Sequence, residues 1–433
     1  MSGLASLIPS PWWYMYLARL LNGVVPAALV VAAVVRCRRS KNLWLTIGLL
    51  VGMTPIVWFS MATVNPSSIA IAGGAALWAA LLVPRTGHAQ NDATAIRRQW
   101  RAGNGDLLLV AGWLISMLPR RDGPLWVTLI VLFACAGNQE LPSEVWRRAG
   151  RVGQALVVIS LPLPLLPMMM NGYDPMSLLL AAMPLSLVVV EVIARLWRNF
   201  TSTALRPWTI FATGIAATVV SLVAVNVYRA GGPSTRITFG IITQTGDHLR
   251  QMVGNLGWLD TPIPEFAMLL WWTVLGALTA LALLKSPRAV GVAAGVLAAG
   301  IVTAWVLAIG LGGETSRSWQ GRYTMPLILG IPMLLARGIE VDASSERRIR
   351  QAITWSMWVV WNGAFYAAMR RWGAGFDGTV FPWRWTTWDS PGHPAVYLTI
   401  HAAVTGCLIA ATLRSHRDAD LQGNTSTGIL DGS

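Results

Sequence analysis

Two polar stretches hold most of the residues through which this chain could do chemistry. In 243–264, TQTGDHLRQMVGNLGWLDTPIP, an aspartate, a histidine and an arginine fall together at Asp247, His248 and Arg250, and Asp260 closes the run. In 313–323, GETSRSWQGRY, Glu314, Arg317, Gln320, Arg322 and Tyr323 are crowded together. Carboxylates so placed can act as general bases, and arginines can hold a phosphate leaving group through paired N–H donors. Asp247, Asp260 and Glu314 are the candidate catalytic carboxylates, on location alone. His248, Arg250, Arg317, Gln320, Arg322 and Tyr323 are candidate substrate contacts, joined by Arg19 and Asn65 from nearer the start of the chain. Trp319, Trp372, Trp383, Trp385 and Trp388 could stack on sugar faces, although aromatic belts are expected at any membrane interface.

The first stretch carries its own secondary-structure signal. Leu249, Met252, Val253 and Leu256 recur at helical spacing, while Asp247, His248, Gln251 and Asn255 fall largely opposite. That pattern predicts an amphipathic helix over about 246–256 lying in the membrane interface. Pro262 and Pro264 then predict a rigid turn into the next apolar span. An interfacial helix that only anchors a loop accounts for the same residues without any substrate.

The elements that must position these residues are membrane helices. Of 433 residues, 54% are apolar and only 12% charged, and apolar runs of about 18 to 25 residues recur along the chain. The expected fold is all-α: a polytopic transmembrane bundle filling 1–413 as a single integral domain, with a disordered cytoplasmic tail at 414–433. The net charge of +14 comes in short clusters between spans, as the positive-inside rule requires, so the expected partner is the lipid bilayer and not nucleic acid. The 31 arginines against 2 lysines read as base-composition bias. Cys37, Cys135 and Cys407 have no metal spacing, and the five histidines form no paired motif, so no cofactor is indicated. The carboxylates leave a divalent cation open.

Taken in order, the chain shows about thirteen spans, N-terminus outside and C-terminus inside, with outer loops at 229–263, 312–323 and 370–394. The first span ends in Arg36–Lys41, RCRRSK, which puts the start of the chain outside, yet no positive n-region precedes it. At least one upstream helix is therefore expected. Arg19 lies about two turns into that span with Asn22 at i+3, and an intramembrane charge is a functional candidate unless it snorkels to the headgroups. Pro55 should kink the second span, and Asn65 should cap the third ahead of Pro66. Two short apolar runs, about 106–118 and 125–137, are joined by PRRDGP, which puts Arg120 and Arg121 outside as a phosphate or headgroup contact. Glu191 and Arg195 stand at i and i+4 and read as a structural ion pair.

Four strings in order, MTP at Met53–Pro55, VNP at Val64–Pro66, QMVGNLGWLDTPIP at Gln251–Pro264 and QGRYTMP at Gln320–Pro326, resemble a bacterial family of multi-pass membrane proteins catalogued as a domain of unknown function. The resemblance runs from about Tyr14 to Pro394, and its layout is similar to that of GT-C glycosyltransferases. It implies a GT-C-like bundle and transfer from a polyprenyl-phosphate sugar on the extracytoplasmic side. In such enzymes the catalytic acid follows a first transmembrane helix, in the first outer loop. Here the first acidic residue is Asp92, on the expected cytoplasmic side, so no residue inherits that role. The 1–11 segment would then be the end of that loop, in line with the missing upstream helix.

The leading expectation is thus a glycosyltransferase for cell-envelope glycans in the bacterial plasma membrane. The alternatives are a non-catalytic binder or translocator of lipid-linked sugars, and a truncated, inactive relative.

Overall fold

The computed structural model describes residues 11–83 (except 41), 105–163 (except 139), 180–200, 240–310 (except 241 and 258), 319–385 (except 340, 342 and 376) and 392–427. These are almost entirely helical and fall into two compact units, Met1–Met252 with Leu278–Glu340, and Val253–Ala277 with Val341–Ser433.

In the first unit, α1 (Pro11–Arg38) is followed by α2 (Leu43–Gly52) and α3 (Pro55–Ala62). The latter two are bent by 68°, where Pro55 supplies no N–H to continue the ladder. The kink expected in the second span is therefore present. Next, α4 (Pro66–Leu82) starts at Asn65, whose side chain accepts the Ser67 N–H at 2.9 Å, as the sequence predicts. Its sequence, PSSIAIAGGAALWAALL, is small-residue rich, and it is buried nearly all round.

α5 (Leu107–Met117) packs against α4 at very short range. A Cβ on Gly73 would lie 2.6 Å from the Ser116 nitrogen, and one on Gly112 would lie 2.6 Å from the Leu77 nitrogen. Glycine lets the two backbones touch, the geometry of small-residue helix interfaces in membranes. Then come α6 (Gly123–Asn138), α7 (Pro142–Arg148), α8 (Gly150–Ser160) and α9 (Leu185–Phe200). The unit is completed by most of α10 (Thr245–Gly254), by α12 (Pro287–Gly310), a 3₁₀ turn at Gly321–Thr324, α13 (Met325–Ile328) and α14 (Gly330–Arg337). The Trp78 indole N–H donates to the Pro326 carbonyl at 3.2 Å and pins α13 to α4.

One end of this unit is closed by arginines set on helix C-termini. Arg36 pairs with Asp106 at 2.7 Å and donates to the Val83 carbonyl. Arg148 reaches the Ala80 and Leu81 carbonyls, Asp106 at 3.8 Å and Glu140 at 3.5 Å. Arg288 donates to the Ala136 carbonyl at 2.8 Å. These carbonyls have no partner within their own helices, and cations there complement the helix dipole.

The second unit contains a two-residue antiparallel ladder, β1 (Asn255–Leu256) with β2 (Thr261–Pro262), in register Asn255 to Pro262 and Leu256 to Thr261. α11 (Glu265–Lys285) follows, belonging to this unit as far as Ala277, then α15 (Ala343–Gly373) and α16 (Pro394–Thr427). α15 and α16 are tied by Trp358 Nε1 to the Ala402 carbonyl at 3.0 Å and by Asn362 Oδ1 to His401 Nδ1 at 3.0 Å.

Among the described residues, four helices are long and apolar enough to cross a bilayer, at Met15–Arg38, Glu265–Lys285, Pro287–Ala308 and Pro394–Leu413. Two bent pairs, α2 with α3 and α6 with α7, would each pass as one broken span. The shorter α4 and α5 are apolar as well. The chain is therefore an all-α membrane protein. Residues 164–179 and 201–239, which the thirteen-span expectation includes, lie outside the described residues.

The helix expected over 246–256 stops at Gly254, because Asn255 and Leu256 enter the ladder with Thr261 and Pro262. At the other end of the chain α16 runs on past 414 as helix to Thr427, an extension that needs no new nucleus. The final six residues, 428–433, lie outside the described residues.

Candidate functional site

The strings MTP, VNP and QGRYTMP, with Gln251 and Met252 of α10, come together at the other end of the first unit. At Thr54 the hydroxyl donates to the Met252 carbonyl at 2.9 Å, joining the kink between α2 and α3 to the last turn of α10. α10 then receives the QGRY backbone along its side. Gln251 Oε1 accepts the Gly321 N–H at 2.9 Å, and His248 Nε2 lies 3.1 Å from the Trp319 carbonyl. A carbonyl can only accept, so Nε2 carries the imidazole proton. A Cβ on Gly321 would meet the His248 carbonyl and come within 2.8 Å of Gln251 Cβ and the Met252 nitrogen. Only glycine fits this approach.

His248 is consequently buried, although helical spacing puts it on the polar side of α10. The covering chain comes from Trp319–Gly321, which the periodicity of α10 cannot foresee. Burial pushes its pKa below the ordinary histidine value, partly offset by the hydrogen bond to Trp319 and the charge of Asp247. The imidazole is a neutral donor fixing the QGRY segment.

QGRY in turn presents Tyr323 to the turn between α5 and α6. The Arg120 guanidinium lies over the Tyr323 ring, 4.0 Å from its centroid. Its Nε donates to Asp122 Oδ1 at 2.8 Å and its Nη1 to Ser67 Oγ at 3.1 Å. Asp122 is buried and also accepts the Trp126 indole N–H at 2.9 Å. Trp319 packs edge-on against Tyr323 at 5.4 Å. On the same ring, Arg322 stands 5.7 Å from the centroid. Its Nε, the Gln320 Oε1 and the Trp319 Nε1 are buried without a hydrogen-bond partner among the described residues. One arginine is thus fully positioned, and a second beside it has an Nε without a partner among the described residues.

Asn65, a predicted contact, caps α4 at this same end, where Ser68 donates to Asn22 Oδ1 at 3.2 Å and Asn22 donates to the Thr63 carbonyl. Arg19 is exposed on α1 while Asn22 is buried, so the two expected on one face are divided between outside and inside. Asp247 and Arg250 are exposed on α10. Glu314 and Arg317 lie outside the described residues.

Asp260 belongs to the second unit. It sits in the turn of the β1–β2 hairpin, half-exposed, accepting from Thr261 at 3.0 Å and from Arg371 at 3.2 Å. Burial raises its pKa, but the Thr261 and Arg371 hydrogen bonds and the Arg371 charge outweigh that and hold it below the ordinary carboxylate value. Such a group stays anionic and is a weak base.

The residues missed at the sequence level are Ser67, Asp122 and Trp126. Asp122 had a signal, since a carboxylate two positions from Arg120 within PRRDGP is well placed to hold it.

The family model for DUF2142, described as a predicted membrane protein, matches residues 10–331. The chain belongs to the DUF2142 family. Its match includes every residue of the Arg120–Tyr323 assembly and ends before Arg371. No curated protein and no solved structure matches the chain.

Proposed function

We propose that this DUF2142 protein is a GT-C-like glycosyltransferase of the bacterial plasma membrane, drawing a sugar from a polyprenyl-phosphate donor for cell-envelope glycans. In this reading the chain crosses the membrane about thirteen times, N-terminus outside, and the Arg120–Tyr323 end faces the extracytoplasmic side. The observation that carries it is Arg322, a cation whose Nε has no partner among the described residues, beside the immobilised pair of Arg120 and Tyr323. A phosphate leaving group gains charge as the glycosidic bond breaks, and pre-positioned guanidinium donors stabilise that charge more than they stabilise the ground state. Gln320 and Trp319 supply polar atoms for the sugar or phosphate, and Asn65 keeps the Ser67 end of α4 in place.

Asp247 and Glu314 are the proposed proton acceptors, on location. Asp260, held anionic by Arg371, suits electrostatic support or a divalent cation better than proton removal. A non-catalytic binder of lipid-linked sugar is the second reading, and the neutralisation of Asp122 by Arg120 and of Asp260 by Arg371 favours it.

The test is Arg322→Ala and Asp247→Ala in a strain that depends on the protein, with envelope glycan composition as the readout. Loss of a sugar in both variants supports the transferase. Loss in Arg322→Ala alone points to binding without catalysis, and normal glycan in both overturns the site. Repeating the assay on membranes with and without a chelator decides the cation.

A further inference from the structure

The half of the first unit that carries the Arg36–Asp106–Arg148 cluster also holds a cavity of about 400 Å³ that the proposed transfer does not use. Its walls come from α5, α6, α7, α8 and α9, with Trp113, Val157 and Leu187 among the buried lining residues. The lining is apolar except for Ser143 and Glu191, and Glu191 is occupied in accepting the Ser143 N–H at 3.1 Å. Four further lining residues, Trp146, Val158, Leu185 and Val188, are exposed on the outside of the bundle. In a membrane protein that exposed apolar surface faces hydrocarbon, so the cavity opens sideways into the bilayer and not only toward water.

We propose that this cavity binds one acyl chain of a bilayer glycerophospholipid, with the lipid phosphate on Arg151. The size is that of a small-molecule site, about 300–1,000 Å³, and the walls offer dispersion contacts but almost no polar partner. Ala149, at the joint of α7 and α8, is part of the wall, and Arg151 stands two residues on, exposed and without an ion-pair partner among the described residues. The neighbouring cations are engaged: Arg147 with Glu144 at 3.8 Å, and Arg148 with Asp106 and Glu140. Arg151 is thus the charge left for a phosphate at the polar end of a chain lying between α5, α8 and α9. This site shares no residue with the Arg120–Tyr323 assembly, so it stands or falls independently of the proposed transfer.

Two measurements test it on the full chain. A phosphatidylglycerol with a diazirine near the chain terminus is photolysed with the detergent-solubilised wild-type protein, and the cross-links are mapped by peptide mass spectrometry. Adducts on the peptides of α5, α8 and α9 that carry Trp113, Val157 and Leu187 support the site. Adducts confined to exposed helices such as α11 and α16 overturn it. By native mass spectrometry, the delipidated protein should retain one phosphatidylglycerol, and Val157→Phe with Leu187→Phe should lose it at least ten-fold. Arg151→Gln should weaken retention several-fold without abolishing it. Equal retention in the filled variant, or retention of polyprenyl phosphate in place of phosphatidylglycerol, overturns the proposal.

Discussion

Arg120 rests on Tyr323 with its guanidinium 4.0 Å from the ring centroid, and its edge is taken up by Asp122 and Ser67. The turn between α5 and α6 is thereby joined to a segment far along the chain through one side chain.

Removing Arg120 should be costly, since Asp122 would remain buried beside Trp126 without its cation. Arg120→Ala is expected to destabilise the protein by about 3 kcal/mol or more. Pairing it with Asp122→Asn should restore part of that loss. Thermal melting in detergent of the two single variants and the double variant closes the cycle, and strict additivity would mean the pair is not coupled.

Gly321→Ala places a methyl group against the His248 carbonyl and the Met252 nitrogen. Overpacking of this kind costs about 1–3 kcal/mol. Gly276→Ala is the control, because nothing lies within 4 Å of a Cβ there. It should be neutral or stabilise by up to roughly 1 kcal/mol through helix propensity. Equal melting temperatures for the two variants would contradict the close docking of QGRY on α10.

His248 gives an acid-side dependence whose sign follows from its lowered pKa. Above the ordinary value of 6.5 the ring is neutral in both folded and unfolded chains, and the folded state has its full stability. As the pH falls below that value the unfolded chain takes up the proton first. Stability is then lost until the folded ring protonates too. Melting temperature measured across this range should fall for the wild type and fall less for His248→Gln; identical slopes would rule out the assignment.

In the hairpin of the second unit, backbone geometry should matter more than the ion pair. Gly257 and Leu259 both have positive φ, 66° and 67°. Gly257→Ala is expected to cost about 1–2 kcal/mol, because a Cβ crowds the left-handed region. Arg371→Ala removes a half-exposed pair and should cost only about 0–1 kcal/mol. Hydrogen exchange at the Ile263 amide, which donates to the Gly254 carbonyl at 3.0 Å, would report the order of the two effects.

What the sequence disclosed and what it withheld divide along range. The bend at Pro55 and the cap at Asn65 follow from missing donors and side-chain acceptors within a few residues, and both were legible. The contact of Arg120 with Tyr323 has no local signature, because neither neighbourhood encodes the other. His248 was misplaced for the same reason: periodicity assigns it a side of α10, but the segment that covers that side arrives from Trp319. The end of α10 is ambiguous in sequence, since Leu256 satisfies both a helical period and a strand facing Thr261. Cation–carbonyl pairings such as Arg148 on α4 were anticipated only as charge clusters, not as helix caps.

The hydroxyl of Thr54 and the carbonyl it binds at Met252 are separated by 198 positions. A ribosome adding about 5–20 residues per second would leave that carbonyl unmade for some ten to forty seconds after Thr54 has emerged. The kink between α2 and α3 must therefore wait in the membrane with its partner still unsynthesised, and the assembly around Tyr323 closes later still. Translation order makes this end of the first unit late to be finished, and dependent on a long stretch of chain made after the kink itself.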